Sequence, residues 1–402
     1  MTYAPLQPAT LADPFPVYQW LRQHQPVMWH AELHAWVISR YVECKQVLSD
    51  PANYSRNYVK LLSGVDGDPE HMTIQSHDPP HSLPFRRAIA VALERTDVES
   101  VCRAAGDKFD SLIALCLDRG PFEFMSQVSG PVATTFACRL IGVPEMPAGA
   151  YHSMFLRITR AMDSSLEPER QSPGLAATEE LNALVADAMP HAELGSLLYE
   201  LQRMDGVQGL SPGYVRNTIS AMFNAAYSTA YTSMGSFLKL ILENPCVAGK
   251  ILSLESHGAA VQELLRLTSP AQATMRFASN DLELGGKAIR KTDPVITLLA
   301  SANHDSAQFE RPDEFIPDRS PSNHLGFGWG PHFCVGAMPA QQFLRHFLKR
   351  IGSHVAELEF SSQPQWLETV TLRCLESLQL VRKGGGAPPR SIPAARNQEA
   401  TA

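Results

Sequence analysis

No Cys-x-x-Cys pair occurs anywhere in this chain, and its seven cysteines, at 44, 102, 116, 138, 246, 334 and 374, are odd in number and widely spaced. That spacing argues against both a zinc ribbon and a disulfide framework. Most of these thiols are therefore expected as buried apolar fillers. Long apolar runs are missing too: none reaches the roughly 18 residues a membrane span needs. The first residues, MTYAPLQPATLADPFPVYQW, have neither the basic n-region nor the apolar h-region of a signal peptide. A cytoplasmic protein with no membrane span is the expectation. A basic excess is likewise absent, with 34 Lys+Arg against 41 Asp+Glu and a net charge of −7. Nothing points to a nucleic-acid surface. The 14 histidines form no metal-binding tract. There is no internal repeat, and no Gly-x-Gly-x-x-Gly follows a strand, so no flavin module is built into the chain.

What is present is length and apolar content: 402 residues, 44% of them hydrophobic, enough for a large core. The spacing predicts short amphipathic helices over 15–24 and 41–49, with a hairpin between them in VMWHAELHAWVISR. Helical spacing also covers 84–118, 124–142, 148–163, 176–204 and 212–243. The last is apolar on nearly every face and is expected to run through the core. Strand-like segments return over 272–298. Residues 55–80 and 163–175 read as loops. From Gly384 the composition turns to Gly, Pro and small polar residues, which predicts one folded unit over 1–383 and a disordered tail over 384–402. The fold class is mainly α with a minor β region.

One cysteine has different surroundings. From His324 the chain reads HLGFGWGPHFCVGAMPAQQFLRHFLKR, with glycines 328, 330 and 336 allowing tight turns and close approach around Cys334. A helix is expected from Gln341 to Lys349. A cysteine just ahead of a helix faces the positive end of its dipole and unpaired N–H groups, both favouring thiolate. A lone thiolate with no companion ligand suits heme iron, whose other ligands come from the porphyrin. The plain alternative is a buried cysteine in a glycine-rich turn.

The run Phe-Gly-x-Gly-x-His-x-Cys-x-Gly at 327–336 resembles the heme-binding loop of cytochromes P-450. The resemblance extends from DPFPVYQWLRQHQPV at 13–27 through LRCLESLQLVR at 372–382, and it implies the cytochrome P-450 fold with heme b as cofactor. It implies Cys334 as the iron ligand, Phe327 packed on the sulfur side with Gly328 and Gly336 in the loop, and His332 aimed at a heme propionate. VQELLRLTSP is similar to the family's Glu-x-x-Arg helix: Glu263 and Arg266 share a face, and with Arg319 from FERPDEFIPDR they would form a buried structural triad. Arg276 in TMRFA and Arg86 in HDPPHSLPFRRA resemble the family's propionate-binding arginines. In the latter segment the family's histidine position is occupied by Ser82, with His81 one residue early, either near a carboxylate or exposed.

Counting back from Glu243-Asn244-Pro245, the family's oxygen-activating pattern falls on Ala225, Ala226, Tyr227, Ser228 and Thr229. The two alanines would leave room for heme and dioxygen, and Thr229 would present a hydroxyl; its plain alternative is a bond to its own helix backbone. Ser228 stands where an acidic residue is usual, so the proton must come from water, substrate or another side chain. Pro339 and Gln341 stand where Leu and Arg are common. Substrate contacts are expected from Asn224, Tyr227, Ala271 and Thr274, in a pocket shared with 55–80 and 163–175; the equal alternative for Tyr227 is an interior position bonding another helix. The activity implied is oxidation of a small organic molecule by dioxygen and two electrons, supplied by separate proteins such as a ferredoxin and its reductase. Ser228 keeps two other readings open: peroxide-driven or otherwise atypical heme oxidation, and a heme-containing binding or recruitment protein without turnover.

Overall fold

The computed structural model describes residues 3–384 except 148, 205, 206, 208 and 254–256. Nearly all of the expected tail lies outside the described residues. The five-stranded sheet runs in the order Val27–His30, Ala35–Ile38, Pro294–Leu298, Ala273–Ala278 and Tyr54–Ser55. Its first two strands form the expected hairpin at one edge, with Val27 opposite Ile38 and His30 opposite Ala35. Ala35–Ile38 then runs parallel to Pro294–Leu298, joining residues 257 positions apart or more. The remaining pairs are antiparallel.

Helices Phe15–His24, Tyr41–Ser49 and Pro212–Glu243 fall where the spacing puts them. Pro212–Glu243 starts on a cap, where Ser211 Oγ accepts from Tyr214 N at 3.3 Å and Pro212 fills a first-turn position that needs no N–H. It carries Phe223, Tyr227, Tyr231, Met234, Phe237 and Leu238 into the largest core cluster. Packed against it are Gln171–Ala188, Gly130–Ile141 and Ala337–Val355, with Val98–Arg119 lying on the last two. This places the helix at the centre of the molecule, with the cysteine loop feeding directly into the neighbouring Ala337–Val355 helix.

Several expected helices are divided. The 84–118 segment is two helices, Leu83–Arg95 and Val98–Arg119, because Thr96 is extended and Asp97 caps the second by accepting from Ser100 N at 3.0 Å. Apolar spacing continues across that break, so periodicity reads through it. The 176–204 segment ends its first helix at Ala188, before Met189-Pro190, and restarts at Leu197 on a Ser196 cap. Proline lacks the donor a helix interior requires. Met125–Ser129 is a π-helical turn ahead of Gly130–Ile141. The 55–80 loop contains a short helix, Tyr58–Ser63, and 163–175 already turns helical at Gln171.

Candidate functional site

The turn at 327–336 is built by its glycines. Gly328 and Gly330 take φ of +71° and +68°, where a side chain would be strained. A Cβ on Gly330 would also come within 2.5 Å of the Leu48 carbonyl, so the loop rests on the backbone of helix Tyr41–Ser49. Cys334 N donates to the Phe327 carbonyl at 2.9 Å, closing the turn. The Arg86 guanidinium donates to the Phe333 carbonyl and ties helix Leu83–Arg95 to the loop.

Cys334 is accessible, as are Phe333 and, across from the loop in the central helix, Ala225. An exposed alanine in mid-helix with buried Phe223, Asn224, Tyr227 and Ser228 around it means the helix has an uncovered strip within the protein. Ala226 and Thr229 border that strip, half-buried, as Phe327, Val335 and Gly336 border the thiol. These surfaces are what a flat apolar cofactor inserted between helix and loop would cover. Enough protein surrounds the thiol that burial raises its pKa, and this outweighs the Gly336 N–H and the Arg86 charge that lower it. The expected thiolate therefore does not follow from the helix end alone; a metal ion, which binds the deprotonated form, would have to supply the difference.

A second part of the site is electrostatic. Arg56 and Arg276 gather with His332 around the Asp78 carboxylate, and Arg86 lies near Arg56. His332 Nε2 donates to Asp78 Oδ1 at 3.0 Å, while Ser55 Oγ and the N–H groups of Arg56 and Asn57 also bind Asp78. Burial raises the Asp78 pKa, but these donors prevail and hold it at about 2. Arg276 is buried and repelled by Arg56, and its pKa falls to about 9. The positive excess suits an anionic group. Because Asp78 is depressed below its ordinary 3.8, its stabilisation is complete above that value and is lost as pH falls toward about 2. Melting curves of wild type and Asp78→Asn should differ near neutrality and converge across that acid window.

The structure brings Glu263, Arg266 and Arg319 together. Arg266 Nε and Nη2 grip the two Glu263 oxygens at 2.8 and 2.9 Å, and Arg319 Nε donates to the same carboxylate at 3.0 Å. Gln341, where the family commonly has arginine, accepts from Gln262 at 2.6 Å. Gln262 in turn accepts from His324 Nε2 at 2.7 Å. Burial drives the His324 pKa to about 4, so the ring is neutral, and its Nδ1 accepts from Gly326 N. Among the described residues no three His, Cys, Asp or Glu side chains are grouped to hold a bare metal ion.

Some expected contacts go elsewhere. Asn224 accepts from Tyr151 at 2.6 Å, and the Tyr227 hydroxyl meets His152 Nδ1 at 3.2 Å. Both side chains bind helix Ala150–Ala161; for Tyr227 this is the interior, helix-bonding alternative. Thr274 Oγ1 accepts from both Arg56 and Arg276, and Ala271 bridges to Leu372. Thr229 Oγ1 donates to the Ala225 carbonyl at 2.7 Å, and Ser228 Oγ reaches the same carbonyl at 3.4 Å. His81 is exposed, and Ser82 is fully buried with an unpartnered hydroxyl. Arg56 and Asp78 were not anticipated: Asp78 lay inside the HDPPH motif without an assigned role, and Arg56 has no sequence signal.

A helical body around one long central helix, with a cysteine turn beneath it and a cationic cluster at the side, is the architecture of a heme-thiolate protein. The Cytochrome P450 family pattern matches residues 253–364. The mycinamicin IV hydroxylase/epoxidase of Micromonospora griseorubida is 28% identical over 354 residues, covering 84% of this chain and 87% of that protein. Cytochrome P450-terp of Pseudomonas sp. is 25% identical over 398 residues, covering 88% and 90%. The crystal structure of a cytochrome P450 from Bacillus megaterium in complex with testosterone superposes with a TM-score of 0.83 at 20% identity, covering 93% of this chain and 99% of that one. The family pattern and these relatives support a cytochrome P450 monooxygenase with heme b as its cofactor, and the solved structure supports the fold. No described helix is long and apolar enough to cross a membrane.

Proposed function

We propose that the chain oxidises a small organic molecule, and that Cys334 would hold the iron of a heme seated between the 327–336 loop and the central helix. The observation that carries this reading is the pairing of an accessible Cys334 with Ala225, exposed in a stretch of helix whose neighbouring residues, 223–230, are buried or half-buried. When bound, the heme supplies oxygen activation, to which a thiolate ligand lends electron density. The protein's own residues do the rest. Gly336 N–H points at the sulfur, Arg86 holds the loop, Arg276 has donors free for the cofactor's carboxylates, and His332 spends its N–H on Asp78 beside them. Ala225 and Ala226 leave space above it. Thr229 donates to its own helix at rest and holds its hydroxyl ready for a ligand or water when that bond is exchanged. The relatives named as hydroxylases support hydroxylation as the reaction class. Electrons come from separate proteins, a ferredoxin and its reductase being the pair proposed.

The absorption spectrum of the reduced protein under carbon monoxide tests this reading. A far red-shifted Soret band supports it, and a band of the histidine-ligated type or no heme uptake sinks it. Thr229→Ala should let reductant consumption continue while product formed per reductant falls several-fold; unchanged coupling would remove Thr229 from proton delivery.

Peroxide-driven turnover has one observation in its favour. Ser228 and Thr229 both spend their hydroxyls on the Ala225 carbonyl, and neither has a carboxylate partner among the described residues. Product formation with hydrogen peroxide, and none with any ferredoxin–reductase pair, would select that reading over the first.

A further inference from the structure

The cationic cluster contains more positive charge than the protein itself balances. Arg56, Arg86 and Arg276 are half-buried or buried, and among the described residues none lies within ion-pair distance of a carboxylate. The nearby Asp78 spends its oxygens on His332, Ser55 and two backbone N–H groups. Arg56 binds only Thr274 Oγ1, at 3.3 Å, through one of its five N–H groups. Arg276 uses a single nitrogen, on Thr274 and on the Met275 carbonyl. Guanidiniums held this way, off water and off counter-ions, are costly unless an anion completes them.

The geometry says where that anion would lie. Arg86 N donates to the Ser82 carbonyl at 3.0 Å, so positions 82 and 86 are one helical turn apart on one face. Ser82 N donates to the Asp78 carbonyl at 3.3 Å, which puts the helix start beside the carboxylate that cradles segment 55–57. Ser82 itself is fully buried. Arg56 and Arg276 share Thr274 Oγ1 as acceptor, and the Arg86 charge also acts on Arg56, so the three guanidiniums are neighbours.

Resting on the heme assignment, we infer that Arg56 is a third guanidinium for the heme carboxylates, reaching from the Tyr54–Ser55 strand end alongside Arg276, with which it shares Thr274 Oγ1. Three arginines against Asp78 and two propionates make a neutral cluster, with His332 as a neutral donor.

The test measures heme loss from the loaded protein to excess apomyoglobin, together with melting of the heme-free protein. Arg56→Met, which keeps the stem and removes the charge, should speed heme loss about tenfold or more, as expected for one charge-assisted hydrogen bond. Heme-free Arg56→Met should melt no lower than heme-free wild type, because an unbalanced charge has been removed. Unchanged heme loss in Arg56→Met overturns the assignment, as does a drop in heme-free stability that accounts for the faster loss. Unchanged heme loss with abolished binding of palmitate would also overturn it, moving Arg56 to a substrate carboxylate. Failure of wild type to take up heme would instead sink the cofactor reading itself.

Discussion

Cys334→Ala is expected to abolish the red-shifted carbon monoxide band and to reduce oxidation to background, while leaving the heme-free fold intact. The thiol sits at the end of a turn whose shape is held by other groups. Gly328 and Gly330 set the backbone, Cys334 N closes onto the Phe327 carbonyl, and Arg86 clasps the Phe333 carbonyl. None of these contacts uses the sulfur. Cys334 is also accessible, so alanine opens no sealed cavity. The heme-free variant should therefore unfold within about 0.5 kcal/mol of wild type, as surface substitutions do. Loss of the spectral signature together with retained stability would isolate the ligand role. A variant that keeps the red-shifted band would show that another group binds the iron.

Glu263→Gln carries the largest expected stability loss. Glu263 and Arg266 are almost wholly buried, and the carboxylate balances two guanidiniums at once. Burial raises the Glu263 pKa, but Arg266, the Ile316 N–H and Arg319 bring it below its ordinary value. Glutamine keeps the shape and removes the charge. Arg266 would still donate to the carbonyls of Asn303 and Pro312, at 2.7 and 2.6 Å, but two buried cations would lose their counter-ion. Breaking such a pair costs about 3–5 kcal/mol, a large share of the roughly 5–15 kcal/mol a folded domain holds. Urea unfolding of the heme-free protein measures it; a loss below about 1 kcal/mol would mean the carbonyl network carries the arginines unaided. The sign with pH follows from the lowered pKa: the stabilisation is present above the ordinary carboxylate value and lost as pH falls through the folded one.

How much of this was legible in the sequence depended on whether a signal was local. The cysteine turn was, because its glycines and Cys334 are contiguous and each has a backbone reason to be there. The central helix was, since Ser211-Pro212 marks its start and its apolar content is continuous. The Glu263–Arg266 pair was, at a spacing of three. Helix breaks at Thr96 and Met189 were not, because apolar periodicity passes through them and only Asp97 and Pro190 mark the interruption. Side-chain direction on the central helix was also hidden. Asn224 and Tyr227 sit beside Ala225 in sequence, yet a 100° step per residue turns them toward Tyr151 and His152. Arg56 was invisible because its neighbours, at positions 78, 86, 274 and 276, are brought near it only by the folded chain.

The strand pairings also bear on how the chain is made. Phe122–Glu123 pairs with Gln379–Arg382, and Glu123 accepts from Leu378 N at 2.8 Å. Asp163 is satisfied by the Val370 and Thr371 N–H groups, and Arg373 donates to the carbonyls of Leu11 and Ala12. Early and middle segments thus wait for residues 370–382 before their polar groups are met. At about 5–20 residues per second, a ribosome needs tens of seconds to deliver them after residue 123 is made. During that interval the nascent chain exposes an unfinished core, so its yield in cells should depend on chaperone supply more than on the stability of the finished fold. Ribosome-bound chains stopped near residue 365 should be degraded rapidly by added protease, and chains extended past 382 and clear of the exit tunnel should resist it.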